Sequence, residues 1–212
     1  MDNEYIESLR KQVKKALKAD KKRYKHTLGV ADTAACLAMR YGVDMQDAYI
    51  AGLLHDCAKC VPDEQKLKEC KEYNIEISQS EKKSPYLLHS KLGAYYAKHI
   101  YNIDNEEICS AIKYHTTGRA KMSMLEKIIF VADYIEPYRN KANDLDTIRS
   151  IAFENIDETI YEITKDTLEY LNKKQAEIDP MTVETYESVR TFLYDNIQCV
   201  ADCFKSTRDA AI

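Results

Sequence analysis

Apolar positions recur along this chain at intervals of three and four, the spacing that gathers side chains on one face of an α-helix. Ile6, Leu9, Val13 and Leu17 mark a first helix, and Leu28, Ala31, Ala35 and Ala38 a second that Gly42 closes as a C-terminal cap. Asp44 is placed to cap a third, with Ala48, Ala51 and Leu54 along its inner side. Pro62, Asp63 and Glu64 read as the opening turn of a short fourth helix, where acidic side chains suit the helix dipole. Ser84 and Pro85 open the next helix, and Asp104 starts another through EEICSAIKYH. Ser123 and Glu126 form a capping box ahead of LEKIIFVADYIEP, which Pro137 stops. The helical pattern resumes from Asp146 to Lys174 with a break inside it, and a last helix follows Asp179-Pro180. With no strand pattern, repeat or low-complexity linker in view, the expected architecture is all-α, one domain over the whole chain.

Composition changes this picture little. A chain of 212 residues, 45% hydrophobic, is long enough for a closed core, and its Gly 5 and Pro 4 leave few of the turn signals that punctuate all-β folds. The formal charge of −4 argues against a nucleic-acid backbone as the main partner, but a small phosphorylated ligand needs only a local basic pocket. The N-terminal stretch MDNEYIESLRKQVKKALKAD is charged throughout, and no long uncharged apolar run follows, so neither a signal peptide nor a membrane span is expected and the protein is expected to be cytoplasmic. Its 7 cysteines, an odd number set in apolar or helical segments such as those of Cys36 and Cys109, are expected to be reduced. Cys57 and Cys60 form a C-x-x-C pair, but Cys199 and Cys203 are spaced one residue too wide to complete a zinc site, and no βαβ context supports a redox pair. Two incidental thiols are the expectation.

Chemistry enters where polar residues interrupt apolar segments. In GLLHDCAKC, His55 and Asp56 end a run of leucines, and burying them is costly unless something satisfies them. A surface turn answers that as readily as a metal ion does. Asp133 lies four residues after Ile129 on a helix whose inner face should be core, so it must be neutralised, paired or bound to a cation. His115 shares the stripe of Ile108 and Ile112, and His26 sits at the edge of an apolar face. Each alone has a plain structural explanation. As a set, His26, His55, Asp56 and Asp133 come from three helices and would offer nitrogen and carboxylate donors, a mix suited to iron, manganese, cobalt, nickel or zinc. His99, near a helix C-terminus, is expected to be structural or exposed.

The order His26, then His55-Asp56, then Asp133 resembles the H…HD…D signature of HD-domain phosphohydrolases. RYKHTLGVADTA, GLLHDCAK, LLHSKLGA, AIKYHTTGRAKMSMLEKIIFVADYIEP and IDPMTVETY are further similar to the YqeK-type branch, from about residue 23 to 186. The resemblance implies a single HD-domain helical bundle with that core, a C-terminal helix of about 180–205 packing on it, and symmetrical hydrolysis of diadenosine tetraphosphate to two ADP. It implies iron as cofactor, held by His26, His55, Asp56 and Asp133. Nucleotide contacts would come from Arg23, His26, Lys59, His89, His115, Thr116, Asp133 and Arg139, with a segment near 174–179 beside the nucleoside.

Such chemistry is mainly positioning and charge neutralisation. His55, Asp56, Lys59, His89, His115 and Asp133 are the candidate catalytic residues. Lys59, four residues after His55, falls on the same helix side and can reach a phosphate; Arg23 and Arg139 can add charge-assisted contacts. His89 and His115 could protonate a leaving phosphate, orient water or hold a second ion, and Thr116 to Gly118 could meet phosphate or simply end a helix. Two other functions use the same residues: HD-type hydrolysis of another nucleotide, and nucleotide sensing without turnover. Exposed tyrosines among the 16 suit a homodimer interface.

Overall fold

The computed structural model describes residues 3–142 and 144–209, with side chains as far as Asp195. Eleven α-helices and one 3-10 turn are found among them, and no strand. In chain order the helices are α1 (Asn3–Ala16), α2 (Lys21–Tyr41), α3 (Met45–Leu54), α4 (Asp63–Glu72), α5 (Gln79–Lys83), α6 (His89–His99), α7 (Glu106–Tyr114), α8 (Met124–Ile135), α9 (Leu145–Ile151), α10 (Ile156–Lys173) and α11 (Pro180–Asp209). Most begin and end where the caps predict. Asp44 accepts from the backbone of Gln46 and Asp47, the Ser123–Glu126 capping box is closed in both directions, and Gly42 takes the left-handed conformation at φ 71°.

The core is assembled around α3, whose residues from Ala48 to Leu54 are all buried, as expected of a helix that is apolar on every side. α2 packs on it through Thr27, Val30, Ala31, Ala34, Leu37 and Ala38. That face is turned from the expected one: Leu28 and Ala35 are only half-buried, because α2 is shared between α3 and α8. α1 buries Ile6, Leu9 and Val13 in the same cluster, with Leu17 just past its end, and the cluster also takes in α7, α8, α9 and α10. A smaller cluster of Ala58, Cys70, Leu88 and Leu92 lies beneath α4.

Three local expectations need correction. Pro85–Leu88 is a 3-10 turn, Ser84 makes no side-chain cap bond, and α6 begins only at His89. The cap of α7 is Asn105, one residue past Asp104, because its side chain accepts from Glu107 N. α5 was not foreseen. Its QSEKK carries no apolar periodicity, although the Ser78–Glu81 capping box that starts it is complete.

One glycine sets the distance between the two helices that carry the first polar residues. A Cβ on Gly52 would lie 2.8 Å from the Ala31 Cα, so α2 and α3 touch backbone to backbone there. Gly52→Ala is expected to lower stability by about 1–3 kcal/mol through overpacking, measured by urea unfolding. Unchanged stability would mean that the two helices separate without penalty.

Candidate active site

Five elements deliver polar side chains to one place. His26 projects from the second turn of α2, His55 and Asp56 follow the end of α3, and Asp133 stands in the last turn of α8. His89 opens α6, and His115 follows α7 directly. His26 Nε2 lies 2.9 Å from Asp133 Oδ1 and 3.9 Å from Asp56 Oδ2. His55 Nε2 is 3.3 Å from Asp56 Oδ2 and 3.8 Å from Asp133 Oδ1. On the other carboxylate oxygen, Asp56 Oδ1 faces His89 Nε2 at 3.3 Å and His115 Nε2 at 3.8 Å. Asp56 therefore stands between two donor sets, His26 with His55 and His89 with His115.

The backbone decides which ring nitrogen of three histidines faces inward. His55 Nδ1 lies 2.6 Å from Gly52 O, His89 Nδ1 2.7 Å from Tyr86 O, and His115 Nδ1 2.7 Å from Ile112 O. A carbonyl can only accept, so each Nδ1 carries the proton and Nε2 presents a lone pair to the cluster. Each acceptor is the carbonyl three residues back; those of Gly52 and Ile112 stand in the last turn of a helix, where carbonyls lack intrahelical partners, whereas Tyr86 O also accepts the backbone N–H of His89. His26 is oriented by a side chain, its Nδ1 donating to Glu136 Oε1 at 3.1 Å. Glu136 is buried, and a Cβ on Gly29 would come within 2.5 Å of its Oε2, so the glycine makes room for the carboxylate.

Three inward atoms of the cluster lack hydrogen-bond partners. His26 Nε2, His55 Nε2 and Asp56 Oδ1 are buried without one, although nitrogens and carboxylate oxygens lie near each other. Donor atoms that crowd together without bonding to one another point at a common centre, and two atoms ligating one ion at about 2.1 Å lie about 3 Å apart when at right angles. Burial would raise the Asp56 carboxyl, but the neighbouring His55 and the Lys59 ammonium outweigh it and hold it well below the usual carboxylate range. Asp133 is likewise held low against the effect of burial, by His26 and Arg139. The His55 imidazole, pulled down by burial, is nevertheless raised overall by the Asp56 charge. A field that favours positive charge on His55 equally favours a cation. His26, His55, Asp56 and Asp133 thus fit a borderline or hard divalent ion.

Three cations of the chain surround the cluster. Arg23 donates to Asp56 Oδ2 at 2.8 Å, Lys59 Nζ lies 3.0 Å from His89 Nε2, and Arg139 holds the Asp133 backbone carbonyl at 2.9 Å and its Oδ1 at 3.2 Å. Lys59 does not share a helix with His55, as its spacing suggested. α3 ends at Leu54, and residues 55–60 form tight turns in which Cys57 N bonds Leu54 O and Lys59 N bonds Asp56 O. The ring of His55 takes the Gly52 carbonyl that a continuing helix would have used. Burial lowers the Lys59 ammonium pKa and, with His55 and His89 nearby, brings that of His115 down to about 3. Thr116 Oγ1 lies 3.3 Å from His89 Nε2 and 3.2 Å from His115 Nε2.

A cavity of about 590 Å³ opens beside Asp133, His115, Thr116 and Arg139, with Phe130, Tyr134, Ile163, Thr167 and Tyr170 in its wall. Residues 174–179, expected beside a nucleoside, do not line it; Glu177 pairs with Lys83, and Asp179 accepts from Ser80. α10 supplies that wall instead. Sequence reading also missed Glu136, whose only signal was a carboxylate next to Pro137, and Arg149. The Arg149 guanidinium donates to the carbonyls of Ile135, Glu136 and Arg139, each at 2.9 Å, and so fixes the loop carrying two site residues. No local pattern marked it.

His99 is exposed and packs on Tyr95 at 4.2 Å between ring centroids. Cys57 directs its thiol to Gly93 O, burial pushes its pKa up, and the cysteines among the described side chains, Cys36, Cys57, Cys60, Cys70 and Cys109, are free. The side chains of Cys199 and Cys203 lie outside the described residues. Glu136→Gln is expected to leave the helix content intact and to weaken divalent-ion affinity about 10- to 100-fold, as loss of a ligand-orienting partner does. Isothermal titration with manganese measures it; unchanged affinity would show that His26 needs no such partner.

A family model described as HD domain matches residues 23–138, more than half of the chain. A symmetrical bis(5'-nucleosyl)-tetraphosphatase of Halalkalibacterium halodurans is 38% identical over 167 residues, covering 79% of this chain and 88% of that protein. Its counterpart in Bacillus subtilis is 38% identical over 164 residues, covering 77% and 87%. A crystal structure titled a predicted HD superfamily hydrolase involved in NAD metabolism, from Clostridium acetobutylicum, superposes with a TM-score of 0.84 at 37% identity, covering 88% of this chain and 97% of that one. With the histidines and the two aspartates gathered as described, the chain belongs to the HD-domain family, in the YqeK-type branch that these relatives represent.

Proposed function

We propose that this protein is an iron-dependent hydrolase that splits diadenosine tetraphosphate symmetrically into two ADP. The observation that carries the reading is the convergence of unprotonated His26 and His55 nitrogens with Asp56 and Asp133, flanked by Arg23, Lys59 and Arg139. Relatives named for that activity match over most of their length. Nitrogen and carboxylate donors admit iron, and manganese, cobalt, nickel or zinc in its place.

When bound, the ion supplies positive charge to a phosphoryl oxygen and acidity to water. The chain's own groups do the rest. Arg23, Lys59 and Arg139 neutralise the phosphate bridge and align it, Thr116 adds a hydroxyl donor, and Tyr134 and Tyr170 border the space for one nucleoside. Neutral His115 and His89 hold lone pairs 3.1 Å apart, so a proton delivered between them passes to the oxygen that leaves. Water adds across the central P–O–P link: its oxygen joins one ADP and the bridging oxygen departs with the other.

The same reading treats the chain as one domain acting in the cytoplasm on a small nucleotide, with neither nucleic acid nor membrane as partner and with a homodimer as its assembly. Support comes from the continuous core joining α1 to α10, the free cysteines, and the finding that no helix among the described residues is long and apolar enough to cross a membrane.

Incubation of the iron- or manganese-loaded protein with diadenosine tetraphosphate should release ADP alone. ATP with AMP would show off-centre cleavage, and bound ADP without turnover would favour a sensor. Because the Clostridium protein is described as involved in NAD metabolism, NAD belongs in the same panel; faster cleavage of NAD would replace the reading. His55→Ala and Asp133→Ala should each lose the ion and all turnover at unchanged circular dichroism, whereas Lys59→Ala should keep the ion and raise KM. Full activity in either alanine variant of the ligand set would refute the assignment.

A further inference from the structure

A second cavity, of about 560 Å³, adjoins the cluster at His26 and Arg139 and does not include Tyr134 or Tyr170 in its lining. Its wall is formed by residues at the start of α2 and in the loop after α8, among them Arg23, Lys25, Tyr138 and Lys141. It meets the first cavity at Arg139 and Lys141, which line both, and His26 forms its inner boundary. Two chambers of nearly equal size thus flank the centre, joined by basic residues.

Their chemistry differs. The first sets Phe130, Tyr134, Ile163 and Tyr170 beside the carboxylates of Asp133 and Asp166, whereas the residues of the second are mainly cations. The carboxylates on the second wall are engaged elsewhere: Asp20 accepts from the Arg23 backbone at 2.9 Å, and Glu136 accepts from His26 at 3.1 Å and from Tyr138 N at 2.7 Å. Tyr138 is 51% exposed, yet its ring is held in place. Lys25 Nζ lies 4.0 Å from the ring centroid, and a Cβ on Gly29 would meet Tyr138 Cδ2 at 3.1 Å. An aromatic ring kept at a solvent opening beside ammonium groups is a platform on which a base can stack while the cations take phosphate.

We infer that this basic chamber binds the second nucleotide half of the substrate, with Lys25 and Lys141 on the outer phosphate and Tyr138 against the base. The inference rests on the proposed cleavage of a dinucleoside tetraphosphate, and it explains how a cut at the middle of a symmetrical substrate is selected. A ligand filling both chambers places its central link at the cluster between them, whereas one chamber alone would leave the position of the cut undetermined.

Calorimetric titration of the manganese-loaded protein with ADP tests it. Two ADP per chain are expected for the unsubstituted protein and one for the double variant K25Q/Y138A, at unchanged circular dichroism. In the kinetic arm, the same variant should raise KM for diadenosine tetraphosphate about tenfold more than KM for adenosine tetraphosphate, which has a single nucleoside. One ADP in the unsubstituted protein, or two in the variant, would overturn the second subsite, as would equal KM changes for both substrates. If diadenosine tetraphosphate is not cleaved while ADP stoichiometry falls from two to one, the subsite stands and the proposed activity falls.

Discussion

Lone pairs brought together in a protein interior repel one another unless positive charge joins them, and the centre of this molecule is built on that constraint. His26, His55, His89 and His115 turn Nε2 toward Asp56 or Asp133, and the Nε2 atoms of His89 and His115 are 3.1 Å apart. Arg23, Lys59 and Arg139 balance part of this from the periphery. The unbonded atoms at the middle require a cation or a proton in transit. Either is useful in phosphoryl transfer, where charge must be neutralised as the bond breaks.

The helical scaffold serves this arrangement through close approach. α3, buried on all sides, brings His55 and Asp56 to the interior at the point where it stops, and Gly52 lets α2 come near enough for His26 to meet them. At the far end, Thr185 of α11 donates to the carbonyls of Thr117 and Met181, which ties the last helix to the loop after His115. Arg149 does the equivalent for the loop after α8. Elements distant from the cluster thereby determine where its loops lie.

Much of this was legible in the residues. Capping signals such as Ser123–Glu126 and Asp44 act within a few positions and read correctly, and polar residues inside apolar helices marked the site because their burial has a cost that must be offset nearby. Less legible was whatever depends on which helices become neighbours. The buried face of α2 is set by two partners rather than by its own periodicity, and α5 is placed by contacts that its polar sequence does not announce. Glu136 and Arg149 act through long-range contacts to a ring nitrogen and to carbonyls, so their identity alone said nothing. The cavity beside Asp133 draws its far wall from α10, and the segment near 174–179 packs elsewhere, against Lys83 and Ser80.

Three of the four histidines owe their protonation pattern to main-chain oxygens, which every amino acid carries. Replacing Tyr86 or Ile112 alters a side chain but leaves the acceptor in place, and Gly52 is constrained by its contact with Ala31 rather than by its carbonyl. That half of the centre is accordingly tolerant of sequence drift, provided the helix ends persist. His26 has no such insurance. Its tautomer is entrusted to one replaceable carboxylate, so mutational fragility should concentrate at residue 136 more than at the neighbours of the other rings.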